Sequence, residues 1–178
     1  DAVWGEAAPE SATTSLQVYV HGLRKALGGD RIETHGNGYR LRVEPGELDL
    51  DRFEGLVEGG RRALAAGDAS AAAADLRAAV SPWSGAALAD LAGQPVAARA
   101  APLDELRLQA LELRNDAELA LGRHEQLLGE LDSLVREQPF RERYREQQIL
   151  ALYRAGRQKD ALDAYRAARE TFVDALGV

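Results

Sequence analysis

The side chains best suited to chemistry in this 178-residue chain lie together on one face of a helix predicted near its beginning. With about 100 degrees per residue, the outer face of residues 11–27 carries hydrogen-bonding groups of mixed length, unlike a face of Glu–Lys pairs. The members of this polar face, with Thr13 and Arg24 on its flank, are Thr13, Thr14, Gln17, Val18, His21, Arg24 and Lys25. Gln can bond adenine and Arg can bond guanine, while Thr and Val methyl groups can touch the thymine methyl. The face therefore suits reading of DNA base edges, and an ordinary solvated helix surface is the alternative.

Local signals define the helix that must carry this polar face. Pro9 and Ser11 are typical of a helix start, and Gly28-Gly29 is typical of a helix end. The opposite side is apolar. It consists of Leu16, Tyr19, Val20, Leu23 and Leu27.

A β-hairpin is predicted directly after this helix, in the segment RIETHGNGYRLRV at residues 31–43. Its apolar and polar residues alternate around Asn37-Gly38, a strong turn signal, and pairing residue 36 with 39 gives the expected register. One face then holds Ile32, Thr34, Leu41 and Val43, and the other holds Glu33, His35, Arg40 and Arg42. The mostly basic face suits contact with phosphates, whereas an edge ribbon kept soluble by arginine is the alternative.

Charge is divided unevenly along the chain, whose formal net charge is −7. Residues 1–43 contain five basic and five acidic side chains, so the remainder carries the whole excess (17 basic minus 24 acidic). Overall charge therefore disfavours non-specific binding of nucleic acid, and the acidic excess lies outside the helix and hairpin.

Composition indicates where the protein works. There is no Cys, which excludes disulfides and thiolate chemistry and favours a cytoplasmic location. No apolar run is long enough for a membrane span, and no signal peptide is evident. The chain opens with DAVWG, which looks like the end of an amphipathic helix, so we expect a fragment of a longer protein.

Patterns typical of catalysis, metal binding or nucleotide binding are missing from the sequence. The three His residues lack the i, i+4 spacing of a zinc pair, and no glycine segment has the context of a phosphate loop. Carboxylates on Glu- and Arg-rich helices are typical of solvated surface. We therefore predict that the chain is not an enzyme, and we assign no catalytic residue, metal, cofactor, small-molecule ligand or membrane partner.

Beyond residue 47 the sequence predicts paired helices in a repeating pattern. Gly122 and Gly156 are 34 residues apart, the tetratricopeptide period, and Gly67 marks a third, diverged copy. Five, nine and twelve residues after these glycines we expect the seams between helices, at Ala72, Leu76, Ala79, Leu127, Leu131, Leu134, Ala161, Tyr165 and Ala168. Asp51 and Glu54 predict a capping box at the first of these helices. Both tryptophans, Trp4 and Trp83, are expected in the core.

Both parts resemble a known family. Residues 4–43, including TTSLQVYVHGLRKALGGDRIETHGNGYRLRV, closely resemble the DNA-binding domain of the actinomycete antibiotic regulatory proteins, a branch of the OmpR-like winged helices. Residues 48–64, 81–93 and 112–178 resemble the bacterial transcriptional activation domain that follows the winged helix in those regulators. The resemblance implies a mainly α fold. Residues 1–46 would be the second half of a winged helix-turn-helix, a helix plus a β-hairpin wing, and residues 47–178 a tetratricopeptide-like helical domain.

The resemblance also implies a function. It is that of a transcriptional activator which binds tandem direct repeats in promoter DNA as side-by-side protomers, contacts RNA polymerase and controls a secondary-metabolite gene cluster, as for antibiotic biosynthesis. The base-reading residues would be Thr13, Thr14, Gln17, Val18, His21 and Arg24. Contacts to the DNA backbone would come from Lys25, Arg31, His35, Asn37, Arg40 and Arg42.

A protein-interaction module without DNA binding of its own is the alternative function. The chain would then be a regulatory segment of a larger signalling protein, and the winged helix would serve only as a packing surface. The incomplete winged helix favours this alternative, since only DAVWG remains of the helix that precedes the recognition helix in the family.

Overall fold

The structure, a computed structural model, describes residues 9–91 and 98–177. In chain order its helices and strands are α1 (Ala12–Leu27), β1 (Ile32–His35), β2 (Gly38–Leu41), α2 (Asp49–Ala65), α3 (Ala69–Val80), α4 (Ala100–Ala120), α5 (His124–Glu137), α6 (Glu142–Arg154) and α7 (Gln158–Leu176). A short 3₁₀ turn covers Ala89–Leu91. The predicted fold class, mainly α with one hairpin, is confirmed, while the prediction for Trp4 falls outside the described residues.

The backbone divides into two compact units. The first contains the described residues up to Arg52 and those of the segment 88–100; the second contains 53–87 and the described residues from 101 onward. The first unit holds α1 and the hairpin, and the second holds the paired helices. In the part of the chain that is described, no helix is both long and apolar enough to cross a membrane.

Helix α1 forms where its end signals predicted it. Arg24 and Lys25 lie in its last turn, where cations interact favourably with the helix dipole, and Gly28 follows with a φ of 99°. Of the predicted apolar face, only Val20 is buried. The other four members are exposed, Tyr19 at 59% and Leu16, Leu23 and Leu27 at 39–53%. The physical reason is that β1 is the one element of the described first unit in substantial contact with α1.

The hairpin forms with its predicted faces but in a different register. Ile32 pairs with Leu41, and His35 pairs with Gly38 across a two-residue loop of Gly36 and Asn37. The predicted pairing of residues 36 and 39 was therefore wrong by two residues. Gly36 has a φ of 57°, which suits the first central position of a type II′ turn. Because the register differs by an even number, each side chain stays on its predicted face.

Helix α2 begins two residues before the predicted cap. It starts at Asp49, whose Oδ1 accepts a hydrogen bond of 2.8 Å from the Leu50 N–H. The capping box with Asp51 at its start was therefore wrong, because Asp51 already lies in the first helical turn. Both aspartates lie near the positive end of the helix dipole, where their charge is favourable.

The three repeat glycines make the same turn in each helical pair. Gly67, Gly122 and Gly156 have φ values of 78°, 77° and 78°. In every case the glycine N–H bonds the carbonyl three residues back, and the next N–H bonds the carbonyl five residues back, at 2.9–3.2 Å. These are the two bonds of a Schellman motif, which requires the left-handed conformation that glycine adopts without strain. The predicted repeat is confirmed at its turns.

The seams predicted from the repeat are buried, with one exception. Leu131, fully buried, lies in a core cluster with Leu119 and Leu127. The exception is Tyr165, which is 56% exposed on α7, so its predicted seam position was wrong. A seam needs a neighbour, and among the described residues no helix follows α7 to cover this side chain.

Two further contacts fix the helical unit. The fully buried Asn115 on α4 donates from Nδ2 to Oε1 of Gln147 on α6 at 3.1 Å, which sets the position of one helix along the other. Half-buried Trp83 packs edge-on against Phe53, with ring centroids 5.3 Å apart, as expected for a packed side chain.

Candidate nucleic-acid interface

The predicted polar face of α1 projects into solvent. Its exposed members are Thr13, Thr14, Gln17, Val18, His21 and Lys25. Val18 is an apolar side chain on this surface, in keeping with the methyl contacts that base recognition uses. The arrangement is thus sterically open to a groove of DNA, and the reading role of each residue stays a prediction.

Arg24 differs from the rest of the predicted face because it is half-buried against the hairpin. Its Nε donates to the carbonyl oxygen of Ile32 at 2.7 Å, and its Nη2 donates to Oγ1 of Thr34 at 3.0 Å. The guanidinium also lies over the ring of Tyr39, 5.6 Å from the centroid. We call these three contacts the Arg24 bracket. They join the C-terminal part of α1 to both strands, so the helix and hairpin are positioned together.

The basic face of the hairpin carries two arginines that are lightly held. Arg40 Nη2 lies 3.2 Å from Nε2 of His35, and Arg42 Nε lies 3.3 Å from Oε1 of Glu44. All four side chains are exposed, and exposed ion pairs are weak and easily screened. Asn37 lies at the exposed tip of the hairpin loop. Arg40 and Arg42 are therefore available to an anionic ligand.

Arg31 is held far more firmly. Its Nη1 and Nη2 donate to Oε2 and Oε1 of Glu47 at 2.7 and 2.6 Å, a bidentate pair. Hydrogen bonding from Arg31 is the largest cause that lowers the pKa of the Glu47 carboxyl, and the same bond raises the pKa of Arg31. A lowered carboxyl pKa keeps the pair charged at neutral pH, and the pair is lost only as pH falls through that lowered value.

A tight turn places Glu47 for this contact. Pro45 and Gly46 occupy the two central positions, Gly46 has a φ of 82°, and the Glu47 N–H bonds the Glu44 carbonyl at 3.1 Å. These features fit a type II turn, which needs a residue with positive φ at its third position. The Glu44 N–H in turn donates to Oε2 of Glu47 at 2.8 Å, so the carboxylate is oriented by the backbone.

Sequence reasoning missed the partners that organise this surface. Tyr39 and Thr34 complete the Arg24 bracket, but their positions in the strands indicate only a face of the ribbon. Glu47 follows a Pro-Gly turn signal, which predicts the bend without naming the arginine that the acid meets. Within the described ranges, no group of three or more His, Asp or Glu side chains is close enough to hold a metal ion.

Comparisons with known proteins identify a family and several relatives of this chain. The model of the family described as the bacterial transcriptional activator domain matches residues 48–178. Regulatory protein DnrI of Streptomyces peucetius is 40% identical over 190 aligned residues, which cover 100% of this chain and 70% of that protein. Regulatory protein AfsR of Streptomyces griseus is 38% identical, and the alignment covers 100% of this chain and 18% of AfsR.

A solved structure shares the whole described fold. The structure of Mycobacterium tuberculosis EmbR in complex with a low affinity phosphopeptide superposes with a TM-score of 0.88 at 38% identity. The match covers 99% of this chain and 48% of the EmbR chain. The chain therefore spans only part of these relatives, from about a fifth to about two thirds of their length.

The fold, the polar helix with its hairpin, and these relatives define the class of protein: this chain is part of a bacterial transcriptional regulator. More narrowly, it belongs to the family of the actinomycete antibiotic regulatory proteins, with their bacterial transcriptional activator domain. Membership of this family confirms the predicted class, and it agrees with the prediction that the chain is not an enzyme.

Proposed function

We propose that this chain binds promoter DNA through α1 and the hairpin and uses the helical domain for protein contacts. The observation that carries the proposal is the Arg24 bracket, because it joins a helix with an exposed polar face to a hairpin with a basic face. In the proposal, residues 1–46 belong to the winged helix and residues 47–178 to the activator domain. The turn at residues 44–47 and the family match from residue 48 support this division.

The exposed residues of the polar face of α1 would recognise the bases. Gln17 and His21 are exposed on α1 and carry donors and acceptors suited to base edges. Thr13, Thr14 and Val18 would supply methyl contacts. Arg24 would reach a base only by exchanging its bonds to the hairpin, so we assign it first to positioning.

The hairpin and the C-terminal end of α1 would bind the DNA backbone. Arg40 and Arg42 are the cations most free to bind phosphates, with Lys25, His35 and Asn37 around them. Such contacts set orientation and affinity without reading sequence. Arg31 belongs to the same surface, but its availability depends on Glu47.

The helical domain would meet protein rather than DNA. Residues 47–178 contain 17 basic and 23 acidic side chains, a net negative charge that DNA repels and a basic protein patch attracts. We assign RNA polymerase as this partner and a second protomer on tandem direct repeats as a neighbour. Because the chain belongs to the family of the antibiotic regulatory proteins, we propose that the genes controlled form a secondary-metabolite cluster.

Binding to the chain's own promoter region tests the proposal. Fluorescence anisotropy with the whole natural protein should show a preference of about a thousandfold or more for promoter DNA over scrambled DNA. The affinity should also fall steeply between about 50 and 200 mM salt. Weak binding that ignores sequence would instead support the interaction module, and the search would then move to protein partners of the helical domain.

Substitutions of Gln17 and Lys25 should distinguish contacts with the bases from contacts with the DNA backbone. Gln17→Ala should lower affinity for promoter DNA by about 1–3 kcal/mol while leaving scrambled DNA nearly unaffected, because only a base contact carries sequence information. Lys25→Ala should weaken both DNAs alike and reduce the salt slope by about one. Equal loss on both DNAs for Gln17→Ala would move the reading face to other residues of α1.

A further inference from the structure

We propose that Glu47 competes with DNA phosphate for Arg31 and thereby limits the affinity and salt dependence of DNA binding by the hairpin. The inference rests on the proposed function, because it assigns an acidic residue a role within the same interface. Glu47 lies beyond both strands, where neither helical nor strand periodicity marks it.

The contact uses the same groups that a phosphate would need. Both terminal nitrogens of Arg31 are engaged by the two oxygens of one carboxylate, and a phosphate would meet the same planar fork in the same bidentate way. Arg31 and Glu47 side chains are 34% and 42% exposed, so a phosphate can reach the pair from solvent. One arginine fork cannot hold both anions in this geometry, and binding one therefore excludes the other.

Glu47 has an advantage because its position is fixed before DNA arrives. The Pro45-Gly46 turn and the Glu44 N–H orient its carboxylate, so the pair forms within the folded protein at little further loss of freedom. The neighbouring pair of Arg42 and Glu44 has a single contact at 3.3 Å and no comparable support. Arg42 is thus free to exchange, whereas Arg31 remains on Glu47.

Removing the charge of Glu47 should release Arg31. Glu47→Gln keeps the size of the side chain and an oxygen that can accept the Glu44 N–H. We expect binding to a duplex of random sequence to tighten about three- to fivefold, the upper range for an exposed pair. The salt slope should become steeper by about 0.9, the value for one added phosphate contact.

The double variant decides whether Arg31 carries the effect. Adding Arg31→Ala to Glu47→Gln should abolish both the gain in affinity and the steeper salt slope. Glu33→Gln, on β1, is the matched control, since it removes one negative charge, as Glu47→Gln does, without touching Arg31. Its effect should not depend on Arg31. The measurements use fluorescence anisotropy of the whole natural protein at neutral pH, with circular dichroism to confirm folding.

Two results would overturn the inference, and they differ. If Glu47→Gln and Glu33→Gln give equal gains that survive Arg31→Ala, Glu47 acts only through general charge, and the proposed DNA binding stands. If no variant, including the unmodified protein, binds DNA in a salt-dependent way, both the inference and the proposed function fail.

Discussion

Replacing Arg40 and Arg42 together with Ala is expected to weaken DNA binding by at least about 100-fold, because each charge-assisted hydrogen bond contributes roughly 1.5–3 kcal/mol and about 1.4 kcal/mol is a factor of ten. The loss should be nearly the same for promoter and scrambled DNA, since both side chains lie on the hairpin face assigned to phosphates. The slope of log affinity against log salt should fall by about 1.8, or 0.9 for each lost phosphate contact. Anisotropy titrations across several salt concentrations measure both quantities.

A charge-matched variant controls for simple electrostatics. Arg166→Ala with Arg169→Ala removes two exposed arginines from α7 and changes net charge by the same amount. It should leave the salt slope almost unchanged. An equal fall in slope for the two double variants would mean that the hairpin makes no direct phosphate contact, and an unchanged promoter response of the Arg40 and Arg42 variant would contradict its assignment as a wing.

Replacing Leu131 with Ala is expected to lower the free energy of unfolding by about 3 kcal/mol, within the range for fully buried leucines. Leu131 has no exposed surface and lies in the core cluster between α5 and its neighbours. The shortened side chain leaves a cavity as well as losing apolar burial. Urea denaturation followed by circular dichroism at the helical signal measures the change, and the m-value should stay constant if unfolding remains two-state.

Tyr165 offers a control at the equivalent repeat position. It lies nine residues after Gly156, as Leu131 lies nine after Gly122, but it is exposed on α7. Tyr165→Ala should therefore lower the free energy of unfolding by less than about 1 kcal/mol. Similar losses for the two variants would show that an additional layer covers α7 in solution.

The helices and the hairpin were predictable from the sequence because apolar and polar residues repeat with a different spacing in helices and in strands. Helical spacing identified the outward side chains of α1, and alternation identified the two faces of the hairpin. The register was ambiguous, because Gly36-Asn37 and Asn37-Gly38 are both acceptable two-residue loops. Only the packed structure selects between the two loops. The observed pairing differs from the predicted one by two residues, so each side chain stays on its predicted face of the hairpin.

Contacts between elements could not be predicted in the same way. A helical wheel puts Arg24 on the flank of the polar face, but its bonds to Ile32 and Thr34 depend on how α1 meets the hairpin. Tyr165 is a similar case in the helical repeats, because its repeat position predicted burial and the side chain is exposed. Sequence equivalence predicts which face a residue occupies, whereas burial depends on whether a neighbour is present.

The Arg24 bracket has a consequence for redesigning the DNA target of this chain. Gln17 and His21 are exposed and lie outside the bracket, so under the proposed function replacements there would change the preferred operator and leave the contacts between helix and hairpin in place. Replacing Arg24 would instead remove its bonds to Ile32 and Thr34 and disturb the helix and the hairpin at once. A redesigned operator preference should therefore be sought at the exposed positions, with Arg24 retained.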